Sequence, residues 1–148
     1  MEENISEFPC FVADNSFLVS YLLEEENTKE TTRQINELLE NNGQIYVPQL
    51  FWYEIGNVLL MNSKPNKKTG IARLLRSDVD DTMYDLRQLP IYTDPEMDEE
   101  IWMRIFNLSE EHNLTFYDAA YLELARRYNL PLKTYDEDLK TAYAAARL

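Results

Sequence analysis

The 148-residue chain has one cysteine, one histidine and three glycines, and each scarcity closes off a chemistry. Cys10 has no partner for an internal disulfide, so nothing points to an oxidising compartment and the expected location is cytoplasmic. With His112 the sole imidazole, read as a surface residue, histidine-based triads and histidine-rich metal sites are excluded. The glycines form neither a phosphate-binding loop nor a GxGxxG turn, which removes the usual nucleotide-binding loops. No cationic start leads into an apolar run long enough for a signal peptide or a membrane span. Basic residues are also few. Fourteen Lys and Arg against 27 Asp and Glu set a formal charge of −13, which argues against nucleic-acid binding through the field of the whole surface.

What is present is enough apolar matter for one core: 45% of residues are hydrophobic and 12% aromatic, and the length suits a single domain over residues 1–148. Phe8 to Ala13 (FPCFVA) predicts a first strand that stops at Asp14, Asn15 and Ser16. Helical spacing follows over Phe17 to Leu23 and Thr28 to Leu39, with a stop at Asn41, Asn42 and Gly43. Gln44 to Val47 reads as a second strand. A long aromatic helix then runs from Pro48 to the break at Ser63 to Asn66. Lys67 to Leu86 predicts a further helix interrupted at the acidic knot Asp78 to Asp81, and Leu89 to Tyr92 a third strand. Asp94-Pro95-Glu96 predicts a helix start, with Ile101, Ile105 and Leu108 on one apolar stripe. Thr115 opens a helix with Ala119, Leu122, Ala125 and Tyr128 on its apolar face; Leu130 to Thr134 reads as a fourth strand and Asp138 onward as a last helix. Strands separated by helices require parallel crossovers. The expected fold is an α/β three-layer sandwich with a central parallel sheet of four to five short strands.

Ligands of open parallel sheets bind beyond the carboxyl ends of the strands, where strand order reverses. Asp14 and Asp136 follow the first and fourth strands, so they meet at the top of the sheet if those strands are neighbours. Glu54 interrupts the apolar helix FWYEIGNVLL, where a carboxylate with no partner is costly to bury. Asp118 stands in the first turn of the helix opened by Thr115. Each has a plainer role available: a turn or helix cap for Asp14, half of a capping box for Asp118, a cap for Asp136 in competition with Asp138. Gathered together, they are harder to explain as caps. Two carboxylates about 5 Å apart repel by roughly 3 kcal/mol at an effective dielectric near 20, so a cluster calls for a compensating cation or shared protons. All-oxygen ligands suit Mg²⁺ or Mn²⁺ and disfavour structural zinc. Such a centre would hydrolyse a phosphodiester by metal-activated water, because no side chain is poised as a covalent nucleophile. A metal-dependent phosphatase is a weaker reading, since the Asp-x-Asp pair it needs is Asp14-Asn15-Ser16 in this chain.

These residues resemble the PIN domains, in particular the VapC-type toxin ribonucleases of toxin–antitoxin pairs. FVADNSFLVSYLL at 11–23 is similar to the first acidic motif of that family, VPQLFWYEIGNVLL at 47–60 to the second, and LTFYDAAYLELARRYNLPLKTYDEDL at 114–139 to the third and fourth. The resemblance places the metal-site acids at Asp14, Glu54, Asp118 and Asp136, with Asp138 a competitor for the fourth. It places accessory polar groups at Ser16, Thr134 and Asn57. It implies a Mg²⁺- or Mn²⁺-dependent endoribonuclease, homodimeric and silenced by a cognate antitoxin. It also implies a short strand after the last helix, for which the sequence leaves no room beyond Ala144 to Leu148. The alternative is a PIN-like interaction module without turnover, whose acidic pocket accepts a basic segment of a partner.

Charge is unevenly spread. From Ile55 to Ser77 there is no acid, while Lys64, Lys67, Lys68, Arg73 and Arg76 are all cationic. This strip could hold phosphates, with Phe51, Trp52 and Tyr53 stacking on bases, or equally could dock an antitoxin segment. On the usual base rates it is a solvated helix face with core aromatics beside it. The acidic surplus elsewhere leads to the expectation of a selective nuclease acting on a structured RNA such as tRNA.

Overall fold

The computed structural model describes residues 8–146. Its elements in chain order are β1 (Cys10–Ala13), α1 (Asn15–Leu22), α2 (Thr28–Glu40), β2 (Gln44–Val47), α3 (Leu50–Ser63), α4 (Arg76–Gln88), β3 (Ile91–Thr93), α5 (Glu99–His112), α6 (Phe116–Tyr128), β4 (Leu132–Lys133) and α7 (Glu137–Ala146). The four strands form one parallel sheet in the order β3-β2-β1-β4. The chain fills the sheet in one direction through β3, then returns to the other side of β1 with β4. The point where strand order reverses therefore lies between β1 and β4, whose registers pair Val12 with Leu132 and Ala13 with Lys133.

Short buried runs explain the strands. Phe11, Val12 and Ala13 are all buried, as a strand covered on both faces must be. Against this sheet lies α6, whose residues Ala119 to Ala125 are buried in unbroken succession, with Leu122 and Leu124 almost wholly enclosed. Each such leucine contributes roughly 1.5–3 kcal/mol. The α2–β2 turn closes through Asn42 at φ 57 and a bond from Gly43 N to Leu38 O of 2.9 Å. Gly43 has no side chain to spare room for, because a Cβ there would collide with the Pro9 carbonyl.

Four expectations are corrected. The helix predicted from Lys67 begins only at Arg76. The Asn66 side chain accepts from Lys68 N at 2.8 Å and Thr69 N at 3.4 Å, Gly70 turns at φ 70, and Ile71 O accepts from Asn66 N, so residues 66–71 close on themselves. The acidic knot does not break α4, since Asp78 accepts from Leu75 N at 2.7 Å in its first turn. The helix expected at Asp94-Pro95-Glu96 starts at Glu99 instead, with Asp98 as its cap, accepting from Ile101 N at 2.8 Å. Asp94 faces inward, where Arg127 bonds it at 2.5 Å and also grips Glu123 at 2.9 Å and Glu96 at 2.9 Å. Asp94 and Glu123 are both buried, so this arginine holds α6 to the β3–α5 connection through two largely desolvated carboxylates. His112 is largely buried too, its side chain 13% exposed, rather than on the open surface. Residues 147 and 148, where a further strand would have begun, lie outside the described residues.

Candidate active site

Asp14 ends β1, and its extended backbone (φ −86, ψ 178) is that of a helix cap. Its Oδ1 accepts from Phe17 N at 3.0 Å and from Ser16 Oγ at 2.7 Å, while Thr134 Oγ1, arriving from the end of β4, donates to Oδ2 at 2.5 Å. The capping role and the site role thus coincide in one 5% exposed carboxylate. Thr134 in turn accepts from Asp136 N at 2.9 Å, and Ser16 Oγ accepts from Tyr135 N at 3.0 Å. The Tyr135 hydroxyl lies 2.6 Å from Thr31 Oγ1, and its ring stacks on Phe17 at 5.7 Å. Ser16 and Thr134 therefore tie the β4–α7 turn to the β1–α1 turn.

The other acids reach the same edge. Glu54, half-buried on α3, accepts from the Tyr121 hydroxyl at 2.6 Å. Tyr121 lies on α6, one turn beyond Asp118, and is 1% exposed. Thr115 caps α6 by accepting from Asp118 N at 3.1 Å. Asp136 accepts from Leu139 N at 2.8 Å, capping α7, yet stays exposed. Asn57 stands exposed one turn beyond Glu54 and forms no hydrogen bond to the acids among the described residues.

Electrostatics join these groups into one cluster. Burial pushes the Asp14 carboxyl above the usual range; the bonds from Thr134, Ser16 and Phe17 oppose this, and repulsion from Asp136 adds to it. Burial raises Glu54, with Tyr121 opposing and Asp118 and Asp14 adding. Asp118 is raised by burial and then by Asp136, with smaller contributions from Asp14 and Asp138. The Tyr121 hydroxyl is driven far above its normal range by burial and by the Glu54 carboxylate, so it stays a donor. Asp136 thus acts on both Asp14 and Asp118, whereas Asp138 acts on Asp118.

The donors are carboxylate and hydroxyl oxygens throughout. Asn15 Oδ1, one residue on from Asp14, is a buried oxygen without a hydrogen-bond partner among the described residues. No ion pair to Asp14, Glu54, Asp118 or Asp136 is formed among the described residues by a Lys or Arg that would neutralise them. As the side chains stand, no group of three or more His, Cys, Asp or Glu among the described residues is arranged to hold a metal ion. A hard divalent cation nevertheless fits this chemistry, because Mg²⁺ keeps several waters and needs only one or two direct carboxylates.

Sequence reasoning missed Tyr121, whose pairing with Glu54 joins two helices 67 residues apart. The only available signal was a buried glutamate in need of a donor. The aromatic trio divides: Phe51 is wholly buried, Trp52 donates to Thr93 Oγ1 at 2.9 Å, and Tyr53 alone points outward at 81% exposure. A separate cleft of about 590 Å³, lined by Arg104, Asn107, Leu108, Glu111, Glu123, Arg126 and Arg127, contains none of the four acids.

The PIN domain family model matches residues 11–145. A search of curated proteins finds no match. Among solved structures, the fold is similar to that of PAE2754 from Pyrobaculum aerophilum, at 21% identity and a TM-score of 0.61, covering 92% of this chain and 80% of that one. It is also similar to Mycobacterium tuberculosis VapC20, described as a Sarcin-Ricin loop cleaving toxin, at 13% identity and a TM-score of 0.63, covering 89% of this chain and 94% of that one. No helix among the described residues is long and apolar enough to cross a membrane.

Proposed function

The chain belongs to the PIN domain family, and on that premise we propose that it is a Mg²⁺- or Mn²⁺-dependent endoribonuclease acting as the toxin of a toxin–antitoxin pair. The observation that carries the reading is the electrostatic cluster of Asp14, Glu54, Asp118 and Asp136 at the carboxyl edge of the sheet, beside the β1–β4 reversal. The likeness to a toxin described as Sarcin-Ricin loop cleaving supports it as well, at the level of fold.

In this reading Asp14, Glu54, Asp118 and Asp136 hold the cation, directly or through its waters. When bound, such a cation supplies charge neutralisation at the phosphate and a water of lowered pKa. The chain supplies position. Ser16, Thr134 and the Phe17 amide fix both oxygens of Asp14, and Tyr121 fixes one oxygen of Glu54. Asp136 serves as the fourth acid in preference to Asp138, because its charge reaches both Asp14 and Asp118. The remaining partners of the reading are a structured RNA as substrate, an antitoxin as inhibitor and a second copy in a homodimer, in the cytoplasm.

The test is cleavage of a total RNA pool by the purified chain. Discrete products are expected with Mg²⁺ or Mn²⁺, and none with chelator or in Asp14→Asn. Cleavage that survives either treatment contradicts the proposal.

A further inference from the structure

We propose that the ordered connection between α3 and α4 is a phosphate-binding arm that holds the RNA backbone beside the acidic cluster; this rests on the ribonuclease reading above. The chain carries a formal charge of −13, so an approaching polyanion is repelled nearly everywhere. Residues 55–77 are the exception, with five cations and no acid.

The structure separates these cations into two sets. Arg73 and Arg76 are used internally: Arg73 donates to Glu24 O at 2.9 Å and lies 3.9 Å from Glu25, and Arg76 pairs with Asp80 at 3.2 Å. Lys64, Lys67 and Lys68 are exposed and form no ion pair among the described residues. They are carried on a turn fixed from within. Asn66 accepts from Lys68 N, Gly70 N bonds Asn66 O at 2.7 Å, and Leu74 N bonds Asn62 O at 2.9 Å, while Arg73 anchors the outer end to the α1–α2 connection. Three cations on a fixed scaffold lose less freedom on binding than three on a loose loop.

Their position suits the task. Lys64 caps α3, the helix that carries Glu54 ten residues earlier, so the arm begins about 15 Å from that acid along the helix axis. Exposed lysine ammonium groups meet phosphates as point charges rather than reading base edges. The arm's contribution is therefore independent of sequence and sensitive to salt.

The test is equilibrium binding of several RNA oligomers to the full chain in the non-cleaving Asp14→Asn background, across a salt series. Lys64→Ala/Lys67→Ala/Lys68→Ala should weaken binding alike on every sequence and reduce the slope of log K against log salt by about 2 for single strands. The Lys→Arg triple should keep the slope, and thermal unfolding should be unchanged in both. An unchanged slope in the alanine triple, with wild-type cleavage intact, overturns the arm alone and leaves the patch to a protein partner. Absence of RNA binding and cleavage in the wild type overturns both proposals.

Discussion

Thr134 Oγ1 donates to Asp14 Oδ2 at 2.5 Å across 120 residues of sequence, which makes the β1–β4 pairing and the candidate site a single structural unit. Thr134→Val keeps the shape and removes the donor from a buried carboxylate. The expected loss is about 1–3 kcal/mol in urea unfolding at neutral pH, with Thr134→Ser recovering most of it. Equal stability of the valine and serine variants would show that the bond is unimportant.

Asp14, Glu54 and Asp118 all protonate above their ordinary range when folded, first because of burial and then through one another or Asp136. A carboxyl of this kind binds its proton more tightly in the folded chain. Its stabilising share is complete below the unfolded pKa near 4 and is lost as pH rises through the folded value. Glu30 has the opposite sign, held down to about 2 by Arg33 and then Gln34, but its window closes below 4.5. In chelator, the unfolding temperature should therefore fall as the pH is raised above about 4, with a shallower fall in Asp14→Asn. A rise over that range in wild type would refute the repulsion argument.

Tyr121→Phe removes the one hydroxyl that holds Glu54. With that bond gone, nothing offsets the burial that raises the Glu54 pKa. Divalent-cation affinity, read by calorimetry at pH 6 and pH 8, should drop more at the lower pH, because Glu54 is then more readily protonated. A uniform drop, or none, would assign the tyrosine to packing alone.

Arg127→Met leaves Asp94 buried without a counter-ion and Glu123 with Arg104 alone, at 3.4 Å. Loss of about 3–5 kcal/mol is expected, with cation binding by the remaining folded protein unaffected. Retention of full stability would show that the network is solvated.

The strands were readable because each is a short apolar run ended by a polar turn, as Ala13-Asp14 and Val47-Pro48 show. Parallel crossovers follow from strands separated by helices, but they do not decide that β4 lies beside β1; the fold supplies that neighbour, and with it the approach of Asp14 to Asp136. Helix starts were harder to read. Asp94 and Asp98 carry the same capping chemistry, and what separates them is Arg127, 33 residues away, which claims Asp94. The stretch from Lys67 has helical spacing, but Asn66 and Gly70 offer the backbone a competing closed turn. Tyr121 was hidden for a similar reason: its ring reads as one more core aromatic, and only the fold shows its hydroxyl against Glu54.

The most direct measurement is a calorimetric titration of the chelator-stripped chain with Mg²⁺ and Mn²⁺, in wild type and in Asp14→Asn. Saturable binding by the wild type, lost or weakened at least tenfold in the variant, is the predicted result. Failure of the wild type to bind either ion, or equal binding by both proteins, would contradict a cation-holding role for the four acids.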